Sequence, residues 1–141
     1  MIQRIQSVWF LLAAIASFLT LKLSFYSGNI IKEGQPKIFS SLVATDNVLL
    51  VISVVATALL CLVAIFLFKD RKLQLRLSMV ALLLSGLNII LFYVQSRKFV
   101  PNEGNFDLTA IITLVVPVMI ILAIRGIYRD QKLVKSLDRL R

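Results

Sequence analysis

Residues 47–68 read NVLLVISVVATALLCLVAIFLF, 22 positions without one Asp, Glu, Lys or Arg. An α-helix rises about 1.5 Å per residue, so this stretch can cross the roughly 30 Å hydrocarbon core of a bilayer. The pattern repeats to either side. Residues 5–21, 77–96 and 108–124 are equally free of charge and run to 17, 20 and 17 positions. The predicted fold class is therefore all-α: an integral membrane four-helix bundle with helices over about 5–26, 47–68, 77–96 and 108–125. Composition agrees with that reading. With 59% apolar residues and a mean hydropathy of +0.90, the 141-residue chain carries more apolar surface than a soluble core of its size could absorb. One membrane domain over 1–141 accounts for nearly everything, and residues 126–141 are left as a basic tail.

The charges between the stretches supply an orientation. If the N-terminus is cytoplasmic, that side holds Arg4, Lys69, Arg71, Lys72, Arg76, Arg125, Arg129, Lys132, Lys135, Arg139 and Arg141, eleven of the sixteen basic residues. The other side keeps Lys22, Lys32, Lys37, Arg97 and Lys98. Positive charge collects on the cytoplasmic side of short loops, so both termini are expected inside a bacterial inner membrane, in an N-in/C-in topology. The same asymmetry explains a pI near 10.2 without nucleic acid as a partner.

Several chemistries are poorly served by the residue types present. The chain has no His, and its one cysteine, Cys61, lies deep in the second stretch, so neither an intrachain disulfide nor the usual transition-metal ligand sets can be assembled. No cofactor and no metal are expected. The first stretch is read as a retained helix rather than a cleaved signal, because its A-x-A-like site, Ala14-Ile15-Ala16, falls inside an apolar run that continues to Leu21. Lys22 stands where its amine can snorkel to the interface.

The polar residues inside the stretches are small and hydroxylic. Ser53, Thr57 and Cys61 recur at four-residue spacing on helix 2, which places them on one stripe and reads as a helix-packing face. Asn88 in the third stretch is the deepest strongly polar side chain and needs a hydrogen-bond partner on another helix, the alternative being a ligand contact. Pro117 in the fourth removes one amide donor and predicts a kink near Thr113. Between the first two helices, 29–31 and 37–39 are short β-compatible runs separated by Gly34 and Pro36, consistent with a small extracytoplasmic hairpin lying on the membrane, where Ile38 and Phe39 are the first place to look for an extracytoplasmic partner contact. Residues 97–107 contain a turn signal, and Asp107 or Thr109 is placed to cap helix 4. In the tail, Leu133, Val134, Leu137 and Leu140 recur at helical spacing among the basic residues, the pattern of an amphipathic helix that lies on anionic lipid or docks on a protein.

Three segments, MIQRIQSVW over 1–9, KDRKLQLRL over 69–77 and RDQKLVKSLDRLR over 129–141, resemble a family of small four-helix inner-membrane proteins of Bacteroidota that carries a domain-of-unknown-function label. The resemblance implies four spans and a bacterial inner membrane, and brings no reaction, substrate or catalytic residue with it. All three segments lie on the expected cytoplasmic side.

The leading functional expectation is a non-catalytic membrane protein, an accessory or scaffold subunit. Its contact residues toward anionic inner-leaflet lipid, other membrane proteins or a second copy are Lys69, Arg71, Lys72, Arg76, Arg129, Lys132, Lys135, Arg139 and Arg141. A transporter or channel component is the first alternative, opposed by the lack of a mid-membrane ionisable group. A lipid-modifying enzyme is the second, opposed by acids such as Asp46, Glu103 and Asp107 that have no His partner.

Overall fold

The structure is a computed structural model that describes residues 3–31, 36–100 and 103–138. Its order is α1 (Gln3–Leu19), β1 (Tyr26–Ile30), β2 (Ile38–Leu42), a single 3-10 turn (Ala44–Asp46), α2 (Val48–Phe66), α3 (Arg71–Ser96), β3 (Gly104–Phe106) and α4 (Ala110–Asp138). Each helix packs on its neighbours in the chain, and α1 closes the ring against α4. The bundle has two distinct ends: a basic end, where α1 starts, α2 meets α3 and α4 finishes, and a sheet end built from the three strands.

Three helices, α2, α3 and α4, are long and apolar enough to cross a membrane. Their surfaces are inverted relative to a soluble protein. Ile52, Leu59, Phe66, Leu83, Ile90, Ile111 and Val118 point outward, while Ser53, Thr57, Ser78, Ser85, Asn88 and Thr113 are buried. Such a distribution is costly in water and suits hydrocarbon, where the apolar faces are already in their preferred solvent. The apolar core at the basic end gathers Phe10, Cys61, Ala64, Ala81, Ile120 and Ile127, and a second core at the sheet end gathers Phe25, Leu50, Phe92 and Phe99.

The all-α expectation needs correcting. The strands form one antiparallel sheet in the order β2-β1-β3, with Tyr26 opposite Leu42 on one side and Phe106 on the other. The expected hairpin is present, but β1 starts three residues before 29 and stops one short of 31, β2 starts one residue after 37 and runs three past 39, and β3 lies in a segment whose sequence signals only a turn. α1 accordingly stops at Leu19 rather than near residue 26. Hydrogen-bonded turns carry the chain on to Leu23, after which the Phe25 amide donates to the Leu42 carbonyl and the backbone joins the sheet. Gly28 and Gly104 face each other in register, and a Cβ on Gly28 would stand 2.7 Å from the Gly104 Cα, so this strand pair closes only because neither residue has a side chain. Phe25 stacks on Phe92 of α3 with centroids 4.7 Å apart and meets Phe106 edge-on at 5.7 Å, which fastens the sheet to the helices.

Two further boundaries differ. α3 begins at Arg71, six residues before the uncharged stretch, so the link from α2 is only residues 67–70. The absence of charge marks where hydrocarbon ends, and a helix of good formers such as Lys72, Leu73 and Gln74 continues past that point. α4 likewise runs unbroken through Pro117 and Gly126 to Asp138, so its described tail is a continuation of the span and not a separate surface helix. Neither expected cap operates at its start. The Thr109 hydroxyl donates instead to the Ser24 carbonyl, and Asp107 accepts from the Ser27 hydroxyl. α2 is capped conventionally, the Asn47 side chain accepting from the Leu49 amide at 2.9 Å.

Candidate functional site

At the basic end, α1 and α4 pack directly against each other. Gly126 faces Gln6, and a Cβ there would meet the Gln6 Cγ at 2.7 Å, so a glycine inside a helix, ordinarily destabilising by about 1 kcal/mol, is what lets the two helices touch. One turn on, the buried Asp130 carboxylate accepts from the Gln6 side-chain amide at 2.5 Å. The Arg71 guanidinium, at the first position of α3, donates to the Asp130 main-chain carbonyl at 3.2 Å. Gln74, one turn further along α3, is buried and donates to the Ala64 carbonyl at 2.9 Å. That bond satisfies one of the carbonyls left open at the end of α2. These bonds make a clasp that ties all four helices together at one level.

Asp130 is 7% exposed and Gln6 5%, so the carboxyl sits in a largely dehydrated place on a side-chain amide hydrogen bond, with no ion-pair partner among the described residues.

Beside the clasp, the same two helices line a cavity of about 480 Å³. Ile5, Gln6 and Trp9 form the α1 wall, and Leu122, Arg125, Gly126, Arg129 and Leu133 the α4 wall. Arg125 and Arg129 are exposed and stand one turn, about 6 Å, apart along α4. Neither guanidinium has an ion-pair or hydrogen-bond partner among the described residues.

The other basic residues singled out from sequence lie around this end. Lys69, Lys72, Arg76 and Lys132 are exposed, while Arg71 is half-buried because it serves the clasp. Arg139 and Arg141 lie outside the described residues, as does the Lys135 side chain. Sequence reasoning missed Gln6, Trp9, Gln74, Arg125, Gly126 and Asp130 as members of one constellation. The available signal was that the segments 1–9, 69–77 and 129–141 each place a polar residue at one end of the bundle.

The interior stripe is a separate matter. Ser53, Thr57 and Cys61 are buried on α2, and Asn88 of α3 reaches across to two of them: its carbonyl oxygen accepts from the Ser53 hydroxyl at 2.5 Å, and its amide donates to the Thr57 hydroxyl at 3.1 Å. The space left between Asn88, Ser17, Thr20, Ser85 and Thr113 is a cavity of about 10 Å³. That is the room of roughly one water molecule.

At the sheet end the acids are dispersed. Glu103 forms an ion pair with Lys37 and accepts from the Asn29 side-chain amide at 3.1 Å, and the Lys37 ammonium, with Asn29 second, holds its carboxyl below the usual carboxylate range. Asp46 accepts from the Val43 amide at 2.8 Å, and Asp107 from Ser27. Among the described residues no three of Cys, Asp and Glu come together as a metal-binding group.

A family model described as Domain of unknown function (DUF4293) matches residues 2–140. The chain belongs to the DUF4293 family. The match covers the clasp, the arginine cavity and the sheet alike, so the whole described bundle is the DUF4293 unit. No curated protein and no solved structure matches it.

Proposed function

We propose that this DUF4293 chain is a non-catalytic, four-span protein of a bacterial inner membrane, with both termini cytoplasmic, that acts as an accessory or scaffold subunit. It binds other membrane components, anionic lipid included, through its basic end. The observation that carries the reading is the gathering of exposed basic side chains, Lys69, Lys72, Arg76, Arg125, Arg129 and Lys132, around a clasp that rigidly ties all four helices. Rigid presentation of a charged face serves recognition, because the binding groups are already placed. What supports α1 as a fourth span, although it is the shortest helix, is that it starts against Asp130 at the basic end and leads into β1 at the sheet end.

A transport path finds less support. The polar space past Asn88 and Thr113 is of the order of one water molecule, with hydroxyl and amide groups already bonded to one another. Acid–base catalysis on lipid finds less again, since Asp46, Glu103 and Asp107 are each engaged in a different local bond.

Native extraction in mild detergent followed by mass spectrometry of the co-purifying proteins and lipids tests the reading. The expected result is a partner protein or an enriched anionic lipid that is lost when Lys72, Arg76 and Lys132 are changed to Gln. A chain that purifies alone, with lipid in the proportions of the bulk membrane, overturns it.

A further inference from the structure

The cavity between α1 and α4 joins two features in one place: two arginines one helical turn apart whose guanidinium groups have no partner among the described residues, and an apolar wall of Ile5, Trp9, Leu122 and Leu133. Along α4 the order is Leu122, Arg125, Gly126, Arg129, Leu133, so apolar residues flank the charged turn on both sides. On α1 the antiparallel order sets Trp9 near the Leu122 level and Ile5 near the Arg129 level. A ligand that satisfies this surface carries compact negative charge that the two arginines, one helical turn apart on α4, can share, with a hydrocarbon portion that runs toward Leu122 and Trp9.

From this arrangement we infer that the α1/α4 cavity is a binding site for one phospholipid with an anionic headgroup, drawn from the leaflet at the basic end. Its phosphate is held by Arg125 and Arg129, and an acyl chain lies against Leu122 and Trp9. The volume of about 480 Å³ falls in the range of small-molecule sites, roughly 300–1,000 Å³. Charge complementarity selects the occupant. Both arginines lack an acid among the described residues, and the one buried carboxylate nearby, Asp130, is turned to Gln6. An anionic lipid neutralises the pair without ordering a second macromolecule, and guanidinium groups suit phosphate because they bind it through two parallel hydrogen bonds. The inference rests on the proposed membrane function and narrows it from a diffuse basic face to one site.

Trp9 is the only tryptophan of the chain and lines the cavity, so it reports on occupancy directly. The full chain is reconstituted in two sets of vesicles with the same mixture of phosphatidylcholine and phosphatidylglycerol. In one set only the phosphatidylglycerol chains are brominated, and in the other only an equal mole fraction of the phosphatidylcholine. The inference expects stronger quenching of Trp9 by brominated phosphatidylglycerol, loss of that preference in Arg125→Gln/Arg129→Gln, and its retention in the charge-matched Lys22→Gln/Lys98→Gln, whose exposed lysines lie at the sheet end. Protection of the fully buried Cys61 from a maleimide confirms that each variant is folded. Equal quenching by both lipids in the unaltered chain overturns the site, as does equal loss in the two double variants. Reversal by added inorganic phosphate assigns the cavity to a free anion and overturns the lipid. None of these outcomes decides the co-purification experiment, so the site and the wider reading fail separately.

Discussion

Gln6 and Asp130 illustrate how a single pair can hold two helix ends. Removing only the donor leaves a buried carboxylate without its hydrogen bond, so Gln6→Leu is expected to destabilise the bundle by about 1–3 kcal/mol. Replacing both partners removes the unsatisfied group as well, and Gln6→Leu/Asp130→Leu is expected to recover most of that loss. Thermal unfolding in detergent, read by exposure of the fully buried Cys61 to a thiol-reactive dye, measures both. A double variant less stable than the single one contradicts the account. Asn88 presents the complementary case in the interior. Asn88→Leu gives up its bonds to Ser53 and Thr57, and interhelical side-chain bonds of this kind contribute about 0.6–2 kcal/mol in a bilayer. A double-mutant cycle with Thr57→Val isolates the Asn88–Thr57 share, and a coupling indistinguishable from zero would remove Asn88 from the packing argument.

At the scale of elements, the sheet depends on pairings that are remote in sequence. Glu103, beside β3, joins Lys37 beside β2 and Asn29 of β1, which draws all three strands together. Its carboxyl titrates below the ordinary value, first because of Lys37 and then Asn29. A lowered folded-state pKa means that the interaction contributes fully above the unfolded carboxylate value and is lost as pH falls through the folded one. Loop opening at the sheet end, followed by hydrogen exchange of the β1 amides, is therefore expected to increase as acid protonates Glu103, and Glu103→Gln is expected to flatten that acid response. The same pairings explain which parts of the fold were legible in the sequence. Runs without charge located the cores of α2, α3 and α4, because hydrocarbon tolerates few ionised groups. They could not say where the helices end. α3 extends to Arg71 and α4 to Asp138 through headgroup-compatible residues, and α1 yields to β1 because Phe25 and Tyr26 find partners more than a dozen positions away. The stripe of Ser53, Thr57 and Asn88 was visible from spacing on single helices. The clasp was not, since Gln6 and Asp130 are separated by nearly the whole chain and nothing local marks either as buried.

For the whole molecule, the geometry of α1 decides what the charge asymmetry means. Three spans alone would set the termini on opposite sides, but α1 begins beside Asp130 and delivers the chain to the sheet, so both ends of the described chain lie at the basic end. Lys69, Arg71, Lys72, Arg76, Arg125, Arg129 and Lys132 lie at that end among the described residues, and positive charge in short loops is retained on the cytoplasmic side. In the proposed orientation the sheet is extracytoplasmic. Ser41 of β2 and Lys72 near the start of α3 are both exposed, one at each end, and Cys61 is buried enough to serve as a silent background. A membrane-impermeant maleimide applied to intact spheroplasts is expected to label Ser41→Cys at once and Lys72→Cys only after lysis. Labelling of both before lysis contradicts a membrane-separated arrangement, and the reverse order contradicts the orientation. Substituting acids for Lys72, Arg76, Arg125 and Arg129 weakens the bias, so the labelling of Ser41→Cys should then become mixed, because the helices themselves fit the bilayer in either direction.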